Sequence, residues 1–174
     1  LDRKDRLYVG TQAGFFRVSA DRQELREFSL PTDTTALPEG NAVKAIAEDA
    51  AGKLWLGTVD NGLVRLDPAS GETLAYRANT TTPDVLSRNR IRSLAFDAQQ
   101  QLWIATYGGG INVFDPVTER FRNFDALTGT GLPLSRVMWY VSKDSSDILW
   151  LAADQGGLLR YEAGGDFIAQ RHRP

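Results

Sequence analysis

The sequence predicts an all-β fold: a partial β-propeller of about four four-stranded antiparallel blades, the first lacking its innermost strand. Three observations predict it. One short phrase occurs four times, as Leu7-Tyr8-Val9-Gly10-Thr11, Leu54-Trp55-Leu56-Gly57-Thr58, Leu102-Trp103-Ile104-Ala105-Thr106 and Leu149-Trp150-Leu151-Ala152-Ala153. Its aromatic residue advances by 47, 48 and 47 residues (55−8, 103−55 and 150−103). A glycine then opens a second apolar run in every copy, at Gly14, Gly62, Gly110 and Gly157. A period of about 40–50 residues built from short strand-like pieces is one blade per repeat.

The strands follow in order, A to D within each blade. The A strands are Val43-Lys44-Ala45-Ile46-Ala47, Ile91-Arg92-Ser93-Leu94-Ala95-Phe96 and Val137-Met138-Trp139-Tyr140-Val141. The phrase itself is strand B. Strand C is Phe15–Val18, Leu63–Leu66, Ile111–Phe114 and Leu158–Tyr161, and strand D runs through Leu25–Phe28, Leu74–Tyr76, Phe121–Phe124 and Phe167–Ile168. The A and B strands are apolar on both faces because stacked blades bury both. The D strands mix apolar residues with Arg, Glu and Asn, as an outer edge that must resist further pairing does. Aligning Asp2 with Asp49 makes residue 1 the counterpart of Glu48, the end of an A strand. The blades then span approximately 1–36, 37–85, 86–131 and 132–174 as one domain.

Asp2, Asp49, Asp97 and Asp144 each precede the leucine of the phrase by five residues. They read as Asx-type turns, whose side chains bond nearby backbone N–H groups, rather than as a row of functional carboxylates. Asp67-Pro68 and Asp115-Pro116 close C strands. Gly10, Gly57, Ala105 and Ala152 share one B-strand position, which predicts a bulky group packed over it, an aromatic of the next blade.

Composition excludes several functions. The net charge of −2 argues against a nucleic-acid surface or a polybasic membrane patch. There is no cysteine for disulfides or thiol chemistry, and no apolar run nears the ~18–20 residues of a membrane span. The single histidine, His172, lies three residues from a terminus, so no Ser-His-Asp arrangement and no His/Cys metal cluster is expected. The expectation is no catalytic residue, no metal and no cofactor. Gly108-Gly109-Gly110 falls at the B–C turn and reads as turn structure, not an anion cradle. The chain opens on Leu1, not Met, without a signal-peptide pattern, and is expected to be a processed product or a piece of something longer.

The pattern V-x-x-I-x-x-D…G-x-L-W-x-G-T…G-G-L-x-x-x-D resembles the two-component regulator propeller repeat. Val43 to Asp67 and Ile91 to Asp115 carry it best, with lead-ins Leu86-Ser87-Arg88-Asn89-Arg90-Ile91 and Leu132-Pro133-Leu134-Ser135-Arg136-Val137. The resemblance implies a periplasmic, extracytoplasmic sensor region of a bacterial hybrid histidine kinase or diguanylate cyclase. It implies a segment that is not itself catalytic and leaves the ligand unnamed. A protein-interaction scaffold, a self-assembling half-propeller and a fragment of a propeller lyase or lactonase are the competing readings. Partners are expected to be an unknown small molecule or glycan, with the ring closed by remaining blades of the same protein or by a second copy. Neither nucleic acid nor direct membrane insertion is expected.

Candidate ligand residues come from loop geometry and from places where the copies disagree. The D–A and B–C connections share one face of a propeller, and rigid frameworks carry function on such loops. That face offers Asp60, Asn61, Tyr107 and Gln155 from B–C turns, and Arg90 and Arg136 from the lead-ins. Tyr107 stands where other copies have Gln12, Val59 and Asp154, and Trp139 is aligned with Ala45 and Ser93. A non-repeating aromatic near the axis is a candidate pocket wall.

Overall fold

The computed structural model describes residues 1–31, 41–79, 82, 84–124, 135–154, 156–162 and 167–170. Among the described residues, fifteen strands form four antiparallel sheets. The first holds β1 (Tyr8–Gly10), β2 (Phe15–Val18) and β3 (Leu25–Phe28). The second holds β4 (Val43–Glu48), β5 (Leu54–Thr58), β6 (Leu63–Leu66) and β7 (Thr73–Tyr76). The third holds β8 (Ile91–Phe96), β9 (Leu102–Thr106), β10 (Ile111–Asp115) and β11 (Arg120–Phe124). The fourth holds β12 (Met138–Lys143), β13 (Leu149–Ala153), β14 (Gly157–Tyr161) and β15 (Phe167–Gln170). Each sheet is ordered as its strands occur in the chain, and the first has three strands, not four. The blade boundaries expected at 36/37 and 131/132 fall outside the described residues.

The inner strands β4, β8 and β12 lie against one another in succession, so the sheets stack like blades about an axis. Each pair of blades shares a buried core. Tyr8, Phe15 and Phe28 of the first meet Val43, Leu54, Leu56 and Leu66 of the second. Trp55 and Leu63 of the second meet Leu94, Ile104 and Phe114 of the third. Trp103, Ile111 and Val113 of the third meet Met138, Val141 and Leu151 of the fourth.

The repeated aspartates are turn formers, and they also hold the tryptophans. Asp49 Oδ1 accepts the Ala51 and Lys53 amides, while its Oδ2 accepts the Trp55 indole N–H at 2.9 Å. Trp103 donates to Asp97 and Trp150 to Asp144, both at 2.8 Å. In the first blade Tyr8 replaces tryptophan, and the Arg6 guanidinium takes the Asp2 carboxylate instead, at 2.6 and 2.7 Å. The six-residue Asp-to-Trp offset follows directly: the turn and the first residues of strand B bring the indole edge back onto the turn carboxylate.

Two expectations need correction. The group packed over Gly10 and Gly57 is aliphatic, not aromatic. A Cβ built on Gly10 would lie 2.8 Å from Val43 Cγ1, and one on Gly57 would lie 2.5 Å from Ile91 Cγ2. The first residue of the next inner strand fills the space, so its branching sets the allowed size. The second correction concerns register. Val43 pairs with Thr58, Ile91 with Thr106 and Met138 with Ala153. Met138, not Val137, is therefore the counterpart of Ile91. Trp139 corresponds to Lys44 and Arg92, and Tyr140 takes the place of Ala45 and Ser93.

Candidate functional site

Every inner strand bulges immediately after its first residue. The register shifts between Val43 and Ala45, between Ile91 and Ser93, and between Met138 and Tyr140. A bulge leaves one residue out of the alternation and re-aims its side chain. The three re-aimed residues are Lys44, Arg92 and Trp139.

Backbone bonds tie this end of each blade together. Val59, Tyr107 and Asp154 donate to the carbonyls of Ala42, Arg90 and Val137, linking each B–C turn to the lead-in of its own blade. Across blades, Gly62 donates to Asn89 O, and both Gly108 and Gly110 donate to Arg136 O, at 2.8 and 2.9 Å. The expected sharing of one face by these connections is thus present. The glycine run is turn structure, because Gly108 and Gly110 spend their amides on Arg136. A Cβ on Gly109 would lie 2.2 Å from Ser87 Oγ.

Tyr107 and Trp139 meet edge to face at 6.2 Å between ring centroids. The Arg92 guanidinium lies over both rings, 5.1 Å from Tyr107 and 5.0 Å from Trp139. Arg90 lies over Tyr107 at 5.4 Å. Tyr107 remains 40% exposed and Trp139 46%. A groove of about 500 Å3 on the same end is lined by Ser87, Arg88, Gly108, Gly109, Asn123 and Arg136. Gly108 joins it to Tyr107. A larger groove of about 700 Å3 elsewhere is lined by Asp49, Lys53, Trp55 and Asp67. Four of its polar groups are already paired: Lys53 with Asp67 at 2.5 Å and Trp55 with Asp49. It offers a ligand less than the arginine-bearing end does.

The structure therefore brings together Tyr107, Trp139, Arg90 and the Arg136 backbone. It does not bring in Asn61. That side chain is fully buried and its amide is committed, donating to Asn41 Oδ1 at 2.6 Å and to Pro31 O, and accepting from Arg77 at 2.8 and 3.0 Å. It is a strut between blades, not a ligand contact. Asp60 is half-buried beside it in the same turn. Gln155 and His172 lie outside the described residues. Sequence reasoning missed Arg92 and Lys44. Counting five residues back from Asp49, Asp97 and Asp144 would have found both, together with Trp139.

No group of three or more His, Cys, Asp or Glu side chains suited to a metal ion occurs among the described residues. No described helix is long and apolar enough to cross a membrane.

A stack of four-stranded antiparallel blades about an axis, with loops and inner strands meeting at one end, is a β-propeller segment. The sequence profile of the two component regulator propeller matches residues 37–60 and 85–108. Those two segments match the two-component regulator propeller repeat. No curated protein matches its sequence.

Among solved structures, the extracellular domain of a hybrid two-component system from B. thetaiotaomicron superposes with a TM-score of 0.79 at 21% identity. The match covers 98% of this chain and 24% of that one, so the chain spans about a quarter of that domain's length. A second extracellular domain of a B. thetaiotaomicron hybrid two-component system is 25% identical, with a TM-score of 0.54 over 92% of this chain and 28% of that one. Virginiamycin B lyase from Staphylococcus aureus shares the fold at 16% identity, with a TM-score of 0.71 over 97% of this chain and 52% of that one.

Proposed function

We propose that the chain is a ligand-recognition segment of an extracytoplasmic, periplasmic sensor propeller in a bacterial two-component or diguanylate cyclase signalling protein. In this reading the segment is not itself catalytic, and its ligand is a small molecule or glycan. The repeats and the likeness to extracellular domains of two-component systems support the class. One observation carries the recognition role. Two large aromatics stand exposed and non-repeating where the inner strand and the B–C turn of adjacent blades meet, with arginines over their faces. Leaving such surface in water costs hydrophobic stabilisation, and flat amphipathic rings suit the apolar faces of sugars and planar molecules. A thermal-shift screen with small molecules and oligosaccharides tests the reading. A hit should raise the melting temperature of the wild-type chain and fail with Trp139→Ala. Hits indifferent to both Trp139→Ala and Tyr107→Ala would overturn this site.

A further inference from the structure

Resting on that reading, we propose that the ligand carries an oxyanion, a carboxylate or phosphate group, held by Arg92 and Arg90 while an adjoining ring packs on Trp139. The Arg92 guanidinium sits against both rings of the edge-to-face pair, 5.1 Å from the Tyr107 centroid and 5.0 Å from that of Trp139. Its Nε is buried and has no hydrogen-bond partner among the described residues. Its terminal nitrogens make no hydrogen bond there either, yet they are not enclosed. Neither Arg90 nor Arg92 forms an ion pair with a described carboxylate. The contrast within the chain is informative. Arg6, Arg65 and Arg160 all pair with acids.

The surroundings add charge of the same sign. Arg88 and Arg136 line the adjoining groove, and Lys44 occupies the matching bulge of the neighbouring inner strand. A rigid, planar donor without an acid partner is suited to bidentate recognition of an oxyanion. A carboxylate or phosphate offers such a guanidinium two charge-assisted acceptors, where a neutral carbonyl accepts more weakly. Contact with both rings restricts the guanidinium before binding, which lowers the entropy lost on capture.

The test titrates the full chain with benzoate, phenyl phosphate and neutral benzamide at constant ionic strength, read by calorimetry and thermal shift. Benzoate and phenyl phosphate should bind, benzamide should not, and Arg92→Gln should weaken the acids roughly ten- to hundred-fold. Preference between the two acids identifies the oxyanion. Lys44→Gln, outside the aromatic stack, should weaken both acids severalfold with an unchanged unliganded melting temperature. Benzamide binding as well as benzoate, lost in Trp139→Ala but kept in Arg92→Gln, would overturn the oxyanion and leave the recognition site standing. Absence of binding by all three, with Arg92→Gln lowering the unliganded melting temperature, would make Arg92 a structural strut and also overturn the proposal.

Discussion

The carboxylates of Asp49, Asp97 and Asp144 each close a turn and anchor an indole, so a single residue couples loop geometry to core position. Asp97 is buried, and removing its indole donor would leave a charged acceptor short of a partner. Trp103→Phe should therefore lower unfolding stability by about 2–3 kcal/mol in urea titrations. The same change at Tyr8 meets no such bond, because Arg6 already holds Asp2. The turn role was legible from the aspartate spacing. The indole bond was not, since hydrogen-bond direction leaves no mark on composition. A second residue-scale effect concerns pH. Burial, followed by the hydrogen bond Tyr76 donates to Glu119, pushes the Tyr76 hydroxyl up to about 12. The unfolded chain ionises first, near pH 10. Tyr76 thus contributes stability that is full below about pH 10 and lost as pH rises through about 12. Alkaline melts of Tyr76→Phe should show a shallower decline across that window than wild type.

At the scale of elements, the chain contains its own record of how blades fit. Where strand B carries glycine, the next inner strand begins with a β-branched residue, Val43 or Ile91. Where it carries Ala105, the next strand begins with unbranched Met138, which shares its core cluster. The size of one residue is thus matched to the branching of another across the blade interface. Gly57→Ala should cost about 1–3 kcal/mol through overpacking against Ile91. Adding Ile91→Met, which recreates the third interface, should recover most of that loss in a double-mutant cycle. Equal losses in the single and double variants would refute this pairing. Sequence reading expected bulk here but chose an aromatic, because it considered which residues are large and not which strand lies overhead. The bulges were illegible for a related reason. Hydrophobic patterning aligned Val137 with Ile91, whereas hydrogen bonding starts the strand one residue later. That shift moved Trp139 from the position of Ala45 and Ser93 to the re-aimed one of Lys44 and Arg92.

At the scale of the whole molecule, the first and fourth sheets differ from the two between them: among the described residues each has a blade packed on one face only. Across the fourth sheet, Tyr140 pairs with Ala152 and Ala152 with Leu158, while Trp150 pairs with Arg160 and Arg160 with Ile168. These residues lie opposite the face packed on the third blade. Tyr140, Leu158 and Ile168 are 59%, 42% and 48% exposed. In the blade before it, the residue equivalent to Tyr140 is Ser93, buried and bonded to Val141 O of the next blade at 3.0 Å. The fourth sheet thus presents a blade interface without its other half. Contiguous apolar surface of this kind drives association. On the 174-residue chain, sedimentation velocity should show concentration-dependent self-association, and Tyr140→Lys with Leu158→Lys should abolish it without lowering the melting temperature. The partner best fitted to that face begins its inner strand with an unbranched residue, since Ala152 matches Ala105 and not Gly57. A second copy of this chain offers only its three-stranded first sheet, whose Val9, Phe16, Val18 and Leu25 share one face but supply no inner strand. Further blades of a longer chain would supply one. The same two lysines placed in such a chain should lower its melting temperature instead, and that opposite response separates ring completion by continuing repeats from closure by a second copy.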